Sequence, residues 1–207
     1  MHPDQTALPS DRRTSAWDIR NAPRNYLSLI AFQAGSAAFS FAAVWLITRY
    51  LGSEGYGGVV AVIAASQVAQ VFVNWTSVAV VRFGVDEFVE TATIARTFWL
   101  RSIVLVANLA LVGVLAPFWF TLRADWLRLT PESLRFVLSH FAVTVVWIHV
   151  QMSLQAAKLP RTQGFLMMIE RLIIFAGLFG LVSVANLTPS GAVVCYIAAP
   201  AAMILVG

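Results

Sequence analysis

The sequence predicts an all-α integral membrane protein with about six transmembrane helices. Apolar residues make up 59% of the 207 residues and charged residues only 12%, whereas soluble domains are roughly 25% charged. The mean hydropathy is +0.76. The apolar residues are also grouped into long runs, each near the ~20 residues that cross the hydrocarbon core. This excess of apolar surface requires a lipid solvent.

The chain begins with a polar stretch, which we interpret as a cytoplasmic N-terminal segment of residues 1–25. It contains Arg12, Arg13, Arg20 and Arg24. The apolar run that follows is too long for the apolar region of a signal peptide, so we expect it to stay in the mature protein. Residues 26–207 form the predicted six-helix transmembrane region.

Six apolar stretches are the predicted spans. Helices are expected rather than barrel strands, because the runs are unbroken and do not alternate in polarity. In chain order the spans are Tyr26–Ile47, Tyr56–Val80, Phe98–Phe120, Phe136–Leu154, Phe165–Ala185 and Gly191–Gly207.

The cations predict the orientation of these spans, because cytoplasmic segments are enriched in Lys and Arg. With the N-terminus inside, ten cations lie on the inner side and four on the outer side, so we expect a cytoplasmic N-terminus. Phe118, Trp119, Phe120 and Trp126 would then lie at the outer interface, where amphipathic rings settle. The outer cations are Arg49, Arg123, Arg128 and Arg135.

Polar residues inside the spans are the first candidates for a site, because they are costly in hydrocarbon unless they face protein or water. Gln67, Gln70 and Asn74 share one face of span two. Either these residues line a hydrated cavity, or they form hydrogen bonds that hold the helices together. The corresponding residues of span four are His140, Thr144, Gln151 and Gln155.

Arginines near the spans are the second set of candidates. Arg49, Arg82 and Arg171 either extend to the interface as anchors or face a cavity, where a guanidinium can hold phosphate oxygens bidentately. The single arginines and Lys158 form no basic stripe, so nucleic acid is not an expected partner. We find no catalytic motif, metal-ligand cluster or cofactor motif, and we therefore expect no catalytic residues, no metal and no cofactor.

The stretch from Ala42 to Phe88 resembles the first helical hairpin of the polysaccharide-biosynthesis flippases, in the multidrug/oligosaccharidyl-lipid/polysaccharide exporter superfamily. That pattern has a helix ending in a basic residue, then Leu-Gly, an acidic turn and Tyr-Gly. The segment LQAAKLPRTQG after span four also resembles the family's inner loop. The matching residues are Arg49, Leu51, Gly52, Glu54, Tyr56 and Gly57, followed by Asn74, Arg82 and Glu87. Gly52 can end a helix in the left-handed conformation, and Gly55 and Gly57 permit a tight reversal.

The resemblance implies a transporter of twelve to fourteen helices in two lobes, located in the plasma (inner) membrane. We expect this chain to be the N-terminal lobe, and to be truncated at its apolar C-terminus. The implied function is to flip a lipid-diphosphate-linked oligosaccharide for cell-surface polysaccharide biosynthesis, with glycan polymerases or transferases as further partners. The expected substrate-binding residues are Arg49, Arg82, Arg171, Gln67, Gln70, Asn74 and Gln151.

Three other functions remain open, and one of them is a non-transporting scaffold, against which the polar faces argue only weakly. A multidrug or ion-coupled antiporter of the same superfamily needs a membrane carboxylate, and we expect only Glu170 within a span, near its end. A membrane-embedded enzyme of glycan assembly needs paired carboxylates or a metal site, which the sequence does not offer. We therefore expect a transporter and not an enzyme.

Overall fold

A computed structural model describes residues 22–127 and 130–207. The first 21 residues of the predicted N-terminal segment, with Arg12, Arg13 and Arg20, lie outside the described residues. So do Arg128 and the side chains of Trp119, Phe120, Arg123 and Trp126, on which part of the outer-interface prediction rests. Helix α1 begins at Ala22, so the last four residues of the predicted polar segment are already helical.

The all-α fold is confirmed, and the described residues form six helices joined by short turns. Five of the helices are long and apolar enough to cross a membrane, and the 15-residue α2 is not among them. The helices are α1 (Ala22–Asn74), α2 (Ser77–Thr91), α3 (Ala95–Leu127), α4 (Pro131–Ala156), α5 (Pro160–Ser183) and α6 (Pro189–Val206).

Helix α1 contains the first two predicted spans, which explains five long helices where six spans were expected. Gly52 interrupts it with φ 68° and ψ −174°, a combination that is essentially restricted to glycine. Gly52 has a positive φ, but its ψ lies outside the predicted left-handed helical region, and Gly55 and Gly57 stay helical. Residues 53–74 would extend about 33 Å at 1.5 Å per residue, enough to cross the ~30 Å hydrocarbon core.

The predicted end of span two at Val80 is wrong. The helix stops at Asn74, Trp75 and Thr76 form a turn, and α2 starts at Ser77. Hydropathy continues through this break, because Trp75, Val78 and Val80 are apolar. The short polar side chains of Asn74, Thr76 and Ser77 interrupt the helix, since such residues favour helix ends over helix interiors.

Helices α4 and α6 share the same start signal, a threonine followed by proline. Thr130 accepts a hydrogen bond from Ser133 N at 3.1 Å, and Thr188 accepts one from Gly191 N at 3.0 Å. Proline fits the first turn because its missing N–H has no helical partner there. The helices consequently begin at Pro131 and Pro189, before the predicted Phe136 and Gly191.

Helix α4 lies at the centre of the bundle, because it contributes to all three apolar clusters. Its Val137 joins the largest cluster, which both parts of α1, α5 and α6 complete. Phe141 and Val145 pack with Val73 of α1 and Leu105 of α3. Trp147 packs with residues of α5 and α6.

Glycines bring pairs of helices close together. A Cβ added to Gly84 of α2 would lie 2.8 Å from the Cβ of Ala156 in α4. A Cβ added to Gly164 of α5 would lie 2.9 Å from Leu29 of α1. Small residues allow such approaches, which dispersion forces stabilise where lipid provides no hydrophobic drive.

Candidate functional site

A cavity of about 290 Å³ lies between both parts of α1 and helices α4, α5 and α6. Its volume is near the lower limit of typical ligand sites, about 300–1,000 Å³. Apolar side chains form part of the wall, and polar groups from all four helices converge on it. The polar lining residues are Tyr56, Gln67, Gln70, His140, Thr144, Glu170, Arg171 and Tyr196.

The amide face of α1 is oriented toward this cavity. Gln67 and Gln70 both line it, and the amide nitrogen Nε2 of Gln70 is buried without a hydrogen-bond partner. Val68 and Phe72, on another face of the same helix, are 63% and 73% exposed and point away from the cavity lining. One face of α1 therefore presents amides to the cavity while another presents apolar groups to lipid.

His140 of α4 is fixed by α1. Its Nδ1 lies 2.5 Å from Ser66 Oγ, and Ser66 Oγ donates to the Ile63 carbonyl oxygen at 2.7 Å. Because the hydroxyl has one proton, Ser66 accepts from Nδ1–H, which assigns the Nδ1-protonated tautomer. The imidazole is thereby held at the cavity wall.

Glu170 is the acidic group of the cavity. It lies ten residues after Pro160 and thirteen before Ser183, so its predicted position near a span end is wrong for the helix as it forms. Its carboxylate is buried and accepts a hydrogen bond from Trp147 Nε1 at 2.8 Å. The adjacent, half-buried Arg171 lines the same cavity, so opposite charges of α5 border one space.

Helix α6 contributes Tyr196 and Pro200 to the wall. Pro200 is buried inside the helix and has no N–H. The Tyr196 carbonyl consequently loses its usual helical donor four residues later. The carbonyl oxygen of Tyr196, at the cavity, therefore has no backbone hydrogen-bond donor within the helix.

A second polar cluster surrounds the break between α1 and α2. Arg101 of α3 is only 5% exposed and donates to Ser77 Oγ at 3.0 Å and the Val73 carbonyl oxygen at 3.4 Å. Arg101 thus donates to the Val73 carbonyl oxygen, which lies at the end of α1, where the helix breaks. Arg101 is therefore buried between helices and does not lie at the interface.

His149 lies on the face of α4 that packs against α3. Its Nε2 lies 3.0 Å from Ser102 Oγ, and its ring stacks on Phe98 with centroids 4.8 Å apart. His140 instead contacts α1 through Ser66, so the two histidines occupy separate sites. Within residues 22–127 and 130–207, no group of three or more His, Cys, Asp or Glu residues could hold a metal ion.

The structure brings together three of the seven predicted site residues, Gln67, Gln70 and Arg171. The other four do not line the cavity. Arg49 and Arg82 are exposed, with their guanidinium carbons 5.8 Å from the Trp45 ring centroid and 5.9 Å from that of Phe83. Asn74 ends α1, and Gln151 is buried on α4 away from the cavity.

Sequence reasoning missed Tyr56 and Tyr196 as cavity residues and underestimated Glu170. In the sequence, Tyr56 stands out only as part of the Tyr-Gly turn. Tyr196 lies in an apolar run, where a single tyrosine carries no positional signal. For Glu170 the available signal was its charge in the middle of a hydrophobic helix.

Comparison with protein-family models, with curated proteins and with solved structures finds no match to this chain.

Proposed function

We propose that this chain forms the N-terminal lobe of a flippase that moves a lipid-linked oligosaccharide across the membrane for cell-surface polysaccharide biosynthesis. The observation that carries the proposal is the polar cavity between α1, α4, α5 and α6, with Arg171 on its wall. Polar groups from four membrane helices that face one space suit the passage of a hydrophilic headgroup.

The chemistry of the lining suits a charged saccharide. A diphosphate is costly to desolvate, and the guanidinium of Arg171 offers permanent charge and paired donors. Gln67 and Gln70 offer amide donors and acceptors to sugar hydroxyls. Tyr56 and Tyr196 offer rings with a polar end. The cavity's size fits the diphosphate and adjoining sugar, with the lipid tail remaining in the bilayer.

A reconstituted flipping assay tests the proposal. The full-length protein would be placed in vesicles with a fluorescent lipid-diphosphate disaccharide, and transfer followed as protection from an impermeant reductant. We expect Arg171→Ala to slow transfer about tenfold or more, since losing a charge-assisted contact costs roughly 1.5–3 kcal/mol. Arg171→Lys should keep part of the rate.

The matched control is Arg135→Ala, which removes an exposed arginine of α4 that does not line the cavity. It should flip the lipid at the unmodified rate. A wild-type rate in Arg171→Ala at equal reconstitution would refute the assignment of Arg171 to the diphosphate. An inactive unmodified protein would refute the flippase proposal itself.

Glu170 favours a second candidate, an ion-coupled antiporter. A buried carboxylate in the middle of α5, at the wall of the cavity, could exchange a proton or cation for a cationic cargo. Proton-driven uptake of a cationic dye into vesicles separates the two functions. In an antiporter, Glu170→Gln abolishes the uptake, whereas in a flippase the unmodified protein shows none.

We infer that the protein lies in the plasma membrane, as the family resemblance implies, and that its N-terminus is cytoplasmic, on the basis of the cation count. Glu54, next to the Gly52 break, would then face outward, and Thr93, in the α2–α3 turn, would face inward. In a Cys195→Ser background, Glu54→Cys should react with an impermeant thiol reagent on intact cells and Thr93→Cys should not. The reverse pattern would invert the orientation.

A further inference from the structure

A groove of about 790 Å³ runs between α2 and α3, apart from the cavity described above. Its two ends differ in chemistry. At the turn between the helices it is bordered by Asp86, Glu90 and Arg96, all exposed. Further along, its walls are apolar and consist of Ala79, Val80, Phe83, Leu100 and Val104.

Arg101 lies beside the apolar stretch of the groove, because its guanidinium contacts Ser77 and Val73 at the end of α2 away from Asp86 and Glu90. Its Nη atoms bond to Ser77 and to the Val73 carbonyl, but its buried Nε has no hydrogen-bond partner. Both acceptors are uncharged, so neither neutralises the guanidinium. A 95%-buried cation without a counter-ion is costly in a membrane helix. An anionic oxygen in the groove would offset that cost.

Glu87 is already engaged and is not available to a ligand. Its two carboxylate oxygens accept hydrogen bonds from the backbone N–H groups of Arg96 and Thr97, each at 2.8 Å. It therefore caps the start of α3. The carboxylates of Asp86 and Glu90 remain at the rim of the groove, on the opposite wall from Arg96 and Arg101.

We propose that this groove binds one phospholipid with a primary-amine zwitterionic headgroup, of the phosphoethanolamine type. The phosphate lies toward Arg96 and Arg101, and the ammonium donates to Asp86 and Glu90. One acyl chain follows the apolar walls. The helical path from Thr91 to Thr76 is about 22 Å at 1.5 Å per residue, which is long enough for a headgroup and the first part of an acyl chain.

The charge pattern distinguishes this headgroup from the other common ones. A phosphocholine carries the same charges, but its quaternary nitrogen has no N–H to donate to carboxylates. A phosphoglycerol has no cation, so Asp86 and Glu90 would face an anionic lipid without compensation. The predicted affinity order is therefore phosphatidylethanolamine, then phosphatidylcholine, then phosphatidylglycerol.

Native mass spectrometry of the delipidated, detergent-solubilised full-length protein tests this order. Titration with each of the three lipids, matched in acyl chains, gives the number bound and their affinities. We expect one phosphatidylethanolamine bound about tenfold more tightly than phosphatidylcholine, because a charge-assisted hydrogen bond contributes roughly 1.5–3 kcal/mol.

Exposed positions provide variants that leave the core intact. The double variant Asp86→Asn, Glu90→Gln should lose the preference for the amine headgroup and bind phosphatidylglycerol more tightly than before. Arg96→Gln should weaken all three lipids. The controls Glu54→Gln and Arg135→Gln, which remove exposed charges outside the groove, should keep the original order.

Equal affinity for the three lipids in the unmodified protein would mean only non-selective lipid contact and would overturn the proposal. So would an amine preference that persists in the Asp86→Asn, Glu90→Gln variant. The test reads lipid binding alone, so it is independent of whether the central cavity transports a saccharide.

Discussion

The central cavity and the α2–α3 groove contain similar charged groups in different surroundings. In the cavity, Arg171 and Glu170 share one helix, and four further helix segments complete the wall: the two parts of α1, α4 and α6. In the groove, Arg96 and Arg101 face Asp86 and Glu90 across two helices only, and Ile103 on α3 is 66% exposed. The number of helices around a charge thus separates an internal polar site from one that opens to lipid.

This difference assigns different partners to the two regions. A space bordered by four helices can hold a hydrophilic group away from hydrocarbon, which suits a headgroup in transit. A groove between two helices, next to an exposed apolar residue such as Ile103, suits a resident lipid. Both assignments depend on which residues reach water, and that can be measured.

The largest expected effect is a difference in reagent access between neighbouring residues of α1. Gln67 and Val68 are both exposed, but only Gln67 lines the cavity. In a Cys195→Ser background, Gln67→Cys should react with a small hydrophilic thiol reagent at least about tenfold faster than Val68→Cys. The reason is that the thiolate is the reactive form, and hydrocarbon suppresses its formation.

Gln70→Cys and Phe72→Cys provide a second pair with the same contrast, because only Gln70 lines the cavity. Equal rates within both pairs would mean that water does not enter, and that the amides of α1 serve only to bond neighbouring helices. The cavity between α1, α4, α5 and α6 would then not be a hydrated site.

The next effect concerns the support of the buried carboxylate. Trp147→Phe removes the Nε1–H that Glu170 accepts at 2.8 Å, leaving a buried acceptor unpaired at a cost of about 2 kcal/mol. We expect a lower Tm in detergent. Trp99→Phe, at a 66%-exposed position of α3, is the matched control and should change Tm little.

A double variant separates this cause from lost packing. Glu170→Gln in the Trp147→Phe background removes the buried charge and should recover part of the lost stability. If the double variant is less stable than Trp147→Phe by the full effect of Glu170→Gln alone, the two side chains are not coupled.

A third effect concerns the packing of α2, one wall of the groove, against α4. Gly84→Ala would place a methyl group 2.8 Å from the Cβ of Ala156, which has no rotamer to escape into. Overpacking of this kind costs roughly 1–3 kcal/mol, offset by up to about 1 kcal/mol of improved helix propensity. Gly113→Ala in α3, where a Cβ meets nothing within 4 Å, should be neutral or stabilising.

Thermal unfolding of both variants in the same detergent is the measurement. A Gly84→Ala protein as stable as Gly113→Ala would show that α2 is free to move away from α4. The groove between α2 and α3 would then not have the fixed shape that lipid selectivity requires.

The sequence was most informative where one residue type determines a local conformation. Gly52 was predicted as a break because few other residues adopt its backbone angles. The shared face of Gln67 and Gln70 follows from helical periodicity, since residues three apart lie on one side of a helix. Both predictions needed no knowledge of the neighbouring helices.

Features that depend on neighbours could not be predicted. Hydropathy did not reveal the break after Asn74, because Trp75, Val78 and Val80 continue the apolar run. Arg101 has the same sequence context as an interfacial arginine, and only the packing of α1 and α2 buries it. Likewise, the sequence favours Arg49, which ends span one at the family turn, over Arg171, whereas the fold places only Arg171 at the cavity.

The smallest expected effect concerns Glu87 at the groove's turn. Hydrogen bonding from the Thr97 side chain, and then from the backbone N–H groups of Thr97 and Arg96, lowers the pKa of its carboxyl below 4.5. A lowered pKa in the folded state means that ionised Glu87 stabilises the fold above the unfolded-state pKa. That contribution is lost as the pH falls through the folded-state pKa.

At pH 7, Glu87→Gln should therefore have a slightly lower Tm than the unmodified protein, and the gap should close as the pH falls below about 4.5. Glu90→Gln, at an exposed position of the same helix, should show a smaller gap at pH 7. A gap for Glu87→Gln that stays constant from pH 7 to below the unfolded-state pKa would mean that the carboxylate does not cap α3. The charged end of the groove would then lose the fixed turn on which Asp86, Glu90 and Arg96 are arranged.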